Sequence, residues 1–168
     1  MKTVIVIPAR YASTRLNAKP LIKVGGKPVI QWVYEQAKTV KAADEVIVAT
    51  DNQEIFNTVK TFGGEVEMTS TEHKSGTDRI AEVISRHDEY DLIVNLQGDE
   101  PLISTENITT AINLLKNDNN ADIATLVKVV KDKKVIENPN LVKCIFDKNN
   151  YSIKWNSVLM RNKIAKPS

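Results

Sequence analysis

Short, continuous runs of β-branched apolar residues restrict this chain's fold more than any other feature. "TVIVIPA", "EVIVAT", "EVEMTS", "DLIVNLQ", "ADIATLVKVV" and "LVKCIFD" recur along the sequence, and Val4 to Ile7 and Val46 to Val48 contain no polar residue at all. A strand with one face in water alternates apolar and polar residues, so an unbroken run predicts a strand covered on both faces, as in a parallel sheet. Between the runs lie segments of helical period. In "KPVIQWVYEQAKTV", Val29, Trp32, Val33, Gln36 and Val40 form a mostly apolar stripe, and Pro28 suits a first turn. "DNQEIFNTVKTFGG" reads as a helix with Asp51 as N-cap, Glu54 as a capping-box partner and Gly63 and Gly64 as its stop. "SGTDRIAEVISRH" and "STENITTAINLLKND" read as two more. Strands alternating with helices predict a Rossmann-like, doubly wound α/β layer, mostly parallel, with right-handed crossovers. No internal repeat or low-complexity linker interrupts residues 1–168, which read as a single domain. "NPN" at Asn138 to Asn140 marks a turn, and "DKNNYS" a hairpin turn into "YSIKW".

Composition narrows the classes. Apolar residues make up 42% and charged residues 26% of the chain, with a net charge of +2. That is an ordinary globular balance with too little charge for a nucleic-acid-binding surface. Beyond Asp147 only basic charges occur (Lys148, Lys154, Arg161, Lys163, Lys166), and a solvated tail explains them more simply than a phosphate contact does. Cys144 is the only cysteine, so no intrachain disulfide or thiolate cluster is possible, and its apolar surroundings predict a small core residue. The N-terminal apolar run is too short for a signal peptide or a membrane span, which predicts a cytoplasmic protein without membrane insertion.

In doubly wound sheets ligands bind beyond the carboxyl ends of the strands, and the residues there are polar. After the first strand, Arg10, Arg15 and Lys19 place three cations within ten residues, with Ser13 and Thr14 adding hydroxyls. Such a loop suits an anionic phosphate chain, because Arg offers a planar fork of donors and Lys a point charge. It is neither a P-loop nor a dinucleotide fingerprint, since "VGGKPV" lacks the upstream Gly and downstream hydroxyl and no G-x-G-x-x-G occurs. After the fourth strand, "NLQGDEP" sets Asp99 and Glu100 at the same edge, where a hard divalent cation could take one or two carboxylates plus phosphate oxygens, although the segment has turn chemistry in any case. "TEHKSGTDR" adds His73, Ser75, Thr77, Asp78 and Arg79 at a helix entrance that could meet a base, a sugar or a phosphate. His73 and His87 lack zinc-ligand spacing, and no nucleophilic serine elbow or Cys–His pairing can be read.

"IPARYASTRLNAKPL", "IVATD", "HKSGTDR", "VNLQGDEP" and "NPNLVK", in this order, resemble the 3-deoxy-manno-octulosonate (Kdo) cytidylyltransferase family over about residues 2–153. The first motif is shared by other sugar nucleotidyltransferases, while "HKSGTDR" together with "QGDEP" is far more specific. The resemblance implies a Rossmann-like fold of the nucleotide-diphospho-sugar transferase type. It also implies transfer of a cytidylyl group from CTP to Kdo with Mg²⁺ as cofactor, giving CMP-Kdo and pyrophosphate for lipopolysaccharide synthesis, in a homodimer. By motif position Arg10, Ser13, Arg15 and Lys19 would hold the triphosphate. His73, Ser75, Gly76, Thr77 and Arg79, with Gln97, would surround base and sugar, and Asp99 would ligate the metal. Arg10, Lys19 and Asp99 are then the expected catalytic residues. "YSIKWNSVLMRNKIAKPS" departs from the family's pattern, and the family's later sugar-binding residues, second metal carboxylate and much of its dimer surface have no counterpart here. The competing expectations are therefore a nucleotide-binding module with little turnover and a transferase acting on a related acid sugar.

Overall fold

The computed structural model describes residues 1–11 and 18–156, the last three by backbone alone. The chain forms two compact units, Met1–Ala124 and Thr125–Ser168.

In the first unit, β1 (Thr3–Ala9), β4 (Glu45–Thr50), β5 (Val66–Met68) and β6 (Leu92–Asn95) form a sheet of order β5-β4-β1-β6. All three pairings are parallel, with Val4 opposite Glu45, Thr3 opposite Leu92 and Val48 opposite Val66. The unbroken apolar run of β1 is explained by its two faces. Ile5 and Ile7 pack with Ile30 and Val33 of α1 (Val29–Lys38), Ile55 and Val59 of α2 (Gln53–Thr61), and Ile108 and Ile112 of α4 (Thr105–Asn117). Val4 and Val6 face the other way, onto Ile80 and Val83 of α3 (Gly76–Ile84) and onto Tyr90. Alternate residues of one strand thus feed two cores, which is the doubly wound layer the sequence predicts. A 3₁₀ turn (Lys19–Leu21) and the two-residue strands β2 (Lys23–Val24) and β3 (Lys27–Pro28) lead into α1. "VGGKPV" is the tight turn joining β2 to β3, with positive φ at both Gly25 and Gly26.

The cap of α2 is Asn52 instead of the expected Asp51. Its side chain accepts from the amides of Glu54 (2.9 Å) and Ile55 (3.1 Å), which releases Asp51 for another partner. The expected strand in "ADIATLVKVV" is absent. No strand is hydrogen-bonded along residues 121–130, so a β-branched run is left without a ladder.

The second unit holds α5 (Lys133–Glu137), the turn at Asn138–Asn140, and an antiparallel hairpin of β7 (Lys143–Phe146) and β8 (Ser152–Asn156). The hairpin turn is held by Asp147, whose carboxylate accepts from the amides of Asn149 (2.9 Å) and Tyr151 (2.8 Å). Cys144 is half-buried on the wall of an apolar groove with Leu126, Val130, Ile136, Val142 and Phe146, so it is not the core residue expected.

Candidate active site

Three loops meet at the carboxyl end of β1, and Pro8 is where they touch. β6 leaves the ladder after Asn95 pairs with Val6, and Leu96 donates its amide to the Val6 carbonyl. Beyond that point a residue without an N–H interrupts no bond on that side, which allows a proline inside a central strand. The turn after β6 then folds back over Pro8. A Cβ on Gly98 would lie 3.0 Å from the Pro8 carbonyl oxygen, and one on Gly76, at the start of α3, 3.2 Å from its ring. A side chain at either position would press on Pro8, and the two glycines let "QGDEP" and "HKSGTDR" lie close on the strand that carries the basic loop.

The convergence brings two of the expected catalytic residues into contact. Lys19 Nζ donates to Asp99 Oδ2 at 2.6 Å, with side chains 43% and 50% exposed. Arg10 reaches across the same edge, Nη1 donating to the Lys74 carbonyl at 3.4 Å. Gln97 Nε2 donates to Asn95 Oδ1 at 2.8 Å, and both side chains are exposed. Asn95 was not singled out from the sequence, although its place at the last residue of β6 is the signal that marks it. Ser13 and Arg15 lie outside the described residues.

The "HKSGTDR" residues divide by role. Ser75 caps α3, its hydroxyl oxygen accepting from the Asp78 amide (3.1 Å) while the Asp78 carboxylate accepts from the Ser75 amide (3.2 Å). This reciprocal box fixes the helix entrance and leaves Thr77 exposed at the edge. Arg79, expected at the substrate, is instead turned inward and 2% exposed. Its guanidinium donates to Asp51 Oδ2 (2.5 Å), to the Thr69 hydroxyl and to the Ser70 carbonyl (3.4 Å). It ties α3 to the ends of β4 and β5, a positioning role. Asp51, read from the sequence as a cap, is the counter-ion of this buried charge. His73, likewise expected at the substrate, pairs through Nε2 with Glu82 Oε2 at 2.5 Å. Glu82 also accepts from the Ser70 amide at 2.8 Å, and that amide first, then His73, holds its carboxyl below the ordinary range. His73 thus anchors the loop before α3.

Among the described residues no group of three or more acidic, His or Cys side chains could by itself hold a metal. Among the described residues, Asp99 is the acidic side chain at this edge that pairs with the basic loop. Its donor chemistry suits a hard cation weakly with water alone and better in company with phosphate oxygens.

The sequence profile of the cytidylyltransferases matches residues 4–162, and the chain belongs to that family. Within it, the chain is 50% identical over 160 residues to the 3-deoxy-manno-octulosonate cytidylyltransferase of Thermodesulfovibrio yellowstonii, covering 91% of this chain and 62% of that protein. It is 49% identical over 153 residues to the enzyme of the same name from Fusobacterium nucleatum, with the same coverages. Among solved structures it is similar to a CMP:2-keto-3-deoxy-manno-octonic acid synthetase complexed with CTP, with a TM-score of 0.85 and 36% identity over 96% of this chain and 68% of that one. The chain spans about three fifths of the length of the curated relatives it matches.

Proposed function

We propose that this chain carries the nucleotide site of a transferase that moves a cytidylyl group from CTP to 3-deoxy-manno-octulosonate, giving CMP-Kdo and pyrophosphate. The observation that carries the reading is the meeting of Lys19 and Asp99 at 2.6 Å, at the strand-end edge where Arg10 reaches the Lys74 carbonyl. One strand-end edge thus offers cations for a triphosphate and a carboxylate for the cation that accompanies it. Identity near 50% to enzymes named for this reaction supports the choice of base and sugar.

In the reaction the anomeric hydroxyl oxygen of the sugar forms a bond to the α-phosphorus. The bond from that phosphorus to the bridging oxygen breaks, pyrophosphate leaves, and the hydroxyl proton passes to solvent. No covalent enzyme intermediate is needed. Arg10 and Lys19 hold the phosphate oxygens and offset the charge that develops on them, with Arg15 and Ser13 assigned to the same task. Thr77 and the first turn of α3, with Gln97 beside Asn95, line the base and sugar side. Asp99 would hold a magnesium ion, which when bound would neutralise phosphate charge and lower the pKa of the attacking hydroxyl. Arg79 and His73 act at a distance by fixing the α3 entrance.

Calorimetric titration of CTP, UTP and ATP with and without Mg²⁺ tests the reading. CTP should bind most tightly, and Asp99→Asn should remove about tenfold or more of the Mg²⁺-dependent part of that affinity. Equal affinity for the three nucleotides, or an unchanged magnesium dependence in Asp99→Asn, would overturn it. Pyrophosphate release on adding Kdo reports the transfer itself.

A further inference from the structure

The proposed function gives Lys19 and Asp99 separate tasks, one on phosphate and one on the metal, yet the two side chains are bonded to each other. Each comes from a firmly rooted segment. Ala18 closes the loop after β1 by donating its amide to the Tyr11 carbonyl (2.8 Å), takes positive φ, and accepts from the Leu21 amide (2.8 Å), so Lys19 starts a fixed turn. Asp99 follows Gly98, which is pressed on the Pro8 carbonyl. The contact is therefore a clasp between the loop after β1 and the turn after β6, not a chance meeting of two long side chains.

We infer that Lys19 is a counter-ion lock on Asp99, which the triphosphate opens, so that the divalent cation and the nucleotide bind as a coupled pair. This inference rests on the proposed function. A cation arriving alone must compete with an ammonium group already on the carboxylate. A triphosphate offers Lys19 other anionic oxygens, draws it off Asp99, and supplies the further oxygen ligands that one carboxylate cannot. The lock is weak enough to open, because a half-exposed pair contributes only about a twofold to fivefold change in an equilibrium. By reciprocity, whatever the nucleotide adds to cation affinity, the cation adds to nucleotide affinity.

Mn²⁺, followed through the paramagnetic resonance of the free ion, is the probe, with the whole chain, in the absence and presence of CTP. Lys19→Met should tighten binding of Mn²⁺ alone by about twofold to fivefold and lower the enhancement that CTP produces. Lys19→Arg, which keeps a cation able to reach Asp99, should behave like the unaltered chain. Lys74→Met, removing one exposed charge from the same edge, should change Mn²⁺ affinity less than Lys19→Met does. Unchanged or weaker binding of Mn²⁺ alone in Lys19→Met, or equal tightening in Lys74→Met, would overturn the lock. If Asp99→Asn leaves CTP-dependent Mn²⁺ binding intact, the metal assignment of the proposed function falls first, and the lock falls with it.

Discussion

In the first unit Val4, Ile5, Val6 and Ile7 are fully buried, whereas in the second no described side chain from Thr125 to Ile153 is buried. The two stretches are alike in composition: Leu126, Val127, Val129, Val130, Val142 and Ile145 are as β-prone as anything in β1. What differs is the number of layers. β1 lies between β4 and β6, with α1, α2 and α4 on one face and α3 on the other. Among its described residues the second unit offers one two-stranded hairpin and one five-residue helix. A hairpin is marginal by itself, because burial needs a third strand or a packed layer. A β-branched run becomes core only where neighbours close over both its faces.

The largest effect expected from this contrast is at the buried charge of the first unit. Arg79 is 2% exposed and its partner Asp51 18%. Removing one member of such a pair leaves the other uncompensated and costs about 3–5 kcal/mol. Arg79→Met should lower the urea midpoint accordingly, and the double variant with Asp51→Asn should recover part of the loss. A loss no larger than that of an exposed ion pair would mean that water reaches this site. Next comes a pair of truncations. Ile55→Ala empties a fully buried position and should cost about 2–5 kcal/mol. Val129→Ala, at a residue 73% exposed, should stay within about 0.5 kcal/mol. Comparable losses at the two positions would erase the distinction between the units.

How far the sequence reveals each unit follows the same line. In the first, the unbroken runs of β1 and β4 needed two covered faces, so the parallel sheet and the polar strand ends were legible in the sequence. Lys19 and Asp99 were both legible as residues of one edge, because strand order carries them there, but their mutual bond was not. It depends on Gly76 and Gly98 closing on Pro8, a contact between segments far apart in sequence. The inward course of Arg79 was not legible, because a helix-entrance Arg looks the same whether it points outward to a phosphate or inward to Asp51. The choice follows from Asn52 taking the cap and leaving Asp51 unused. Residues 121–130, which span the boundary between the two units, have the composition of a strand and no strand partner among the described residues. Composition supplies a propensity, while a ladder needs a neighbour.

The smallest expected effect separates the units by pH. Both histidines belong to the first unit, and the second contains none. His87 follows α3, near the amino-terminal end of the sheet, with Nε2 on Glu67 Oε1 at 2.5 Å and Nδ1 3.4 Å from Glu89. Its ring stands 5.5 Å from that of Tyr90. Arg86 shares Glu67 at 3.1 Å and Lys2 lies 3.8 Å from Glu89, so cations oppose the two carboxylates without displacing them. The hydrogen bond to Glu67, reinforced by the charge of both carboxylates against some loss of solvation, raises the imidazole above its ordinary value of 6.5. A pKa raised on folding means that the folded state holds the proton more tightly. The stability this confers is complete below about pH 6.5, the unfolded value, and is lost as pH rises through the higher folded value. Thermal unfolding at pH 6 and at pH 8.5 should therefore show the unaltered chain losing more than His87→Gln does. The difference should be on the order of 1–3 °C, since a partly exposed pair contributes little. The variant's curve removes every other titrating group from the comparison. Parallel pH profiles for the two chains would show that the Glu67 contact does not hold His87 in its charged form, and an opposite sign would show that burial outweighs it.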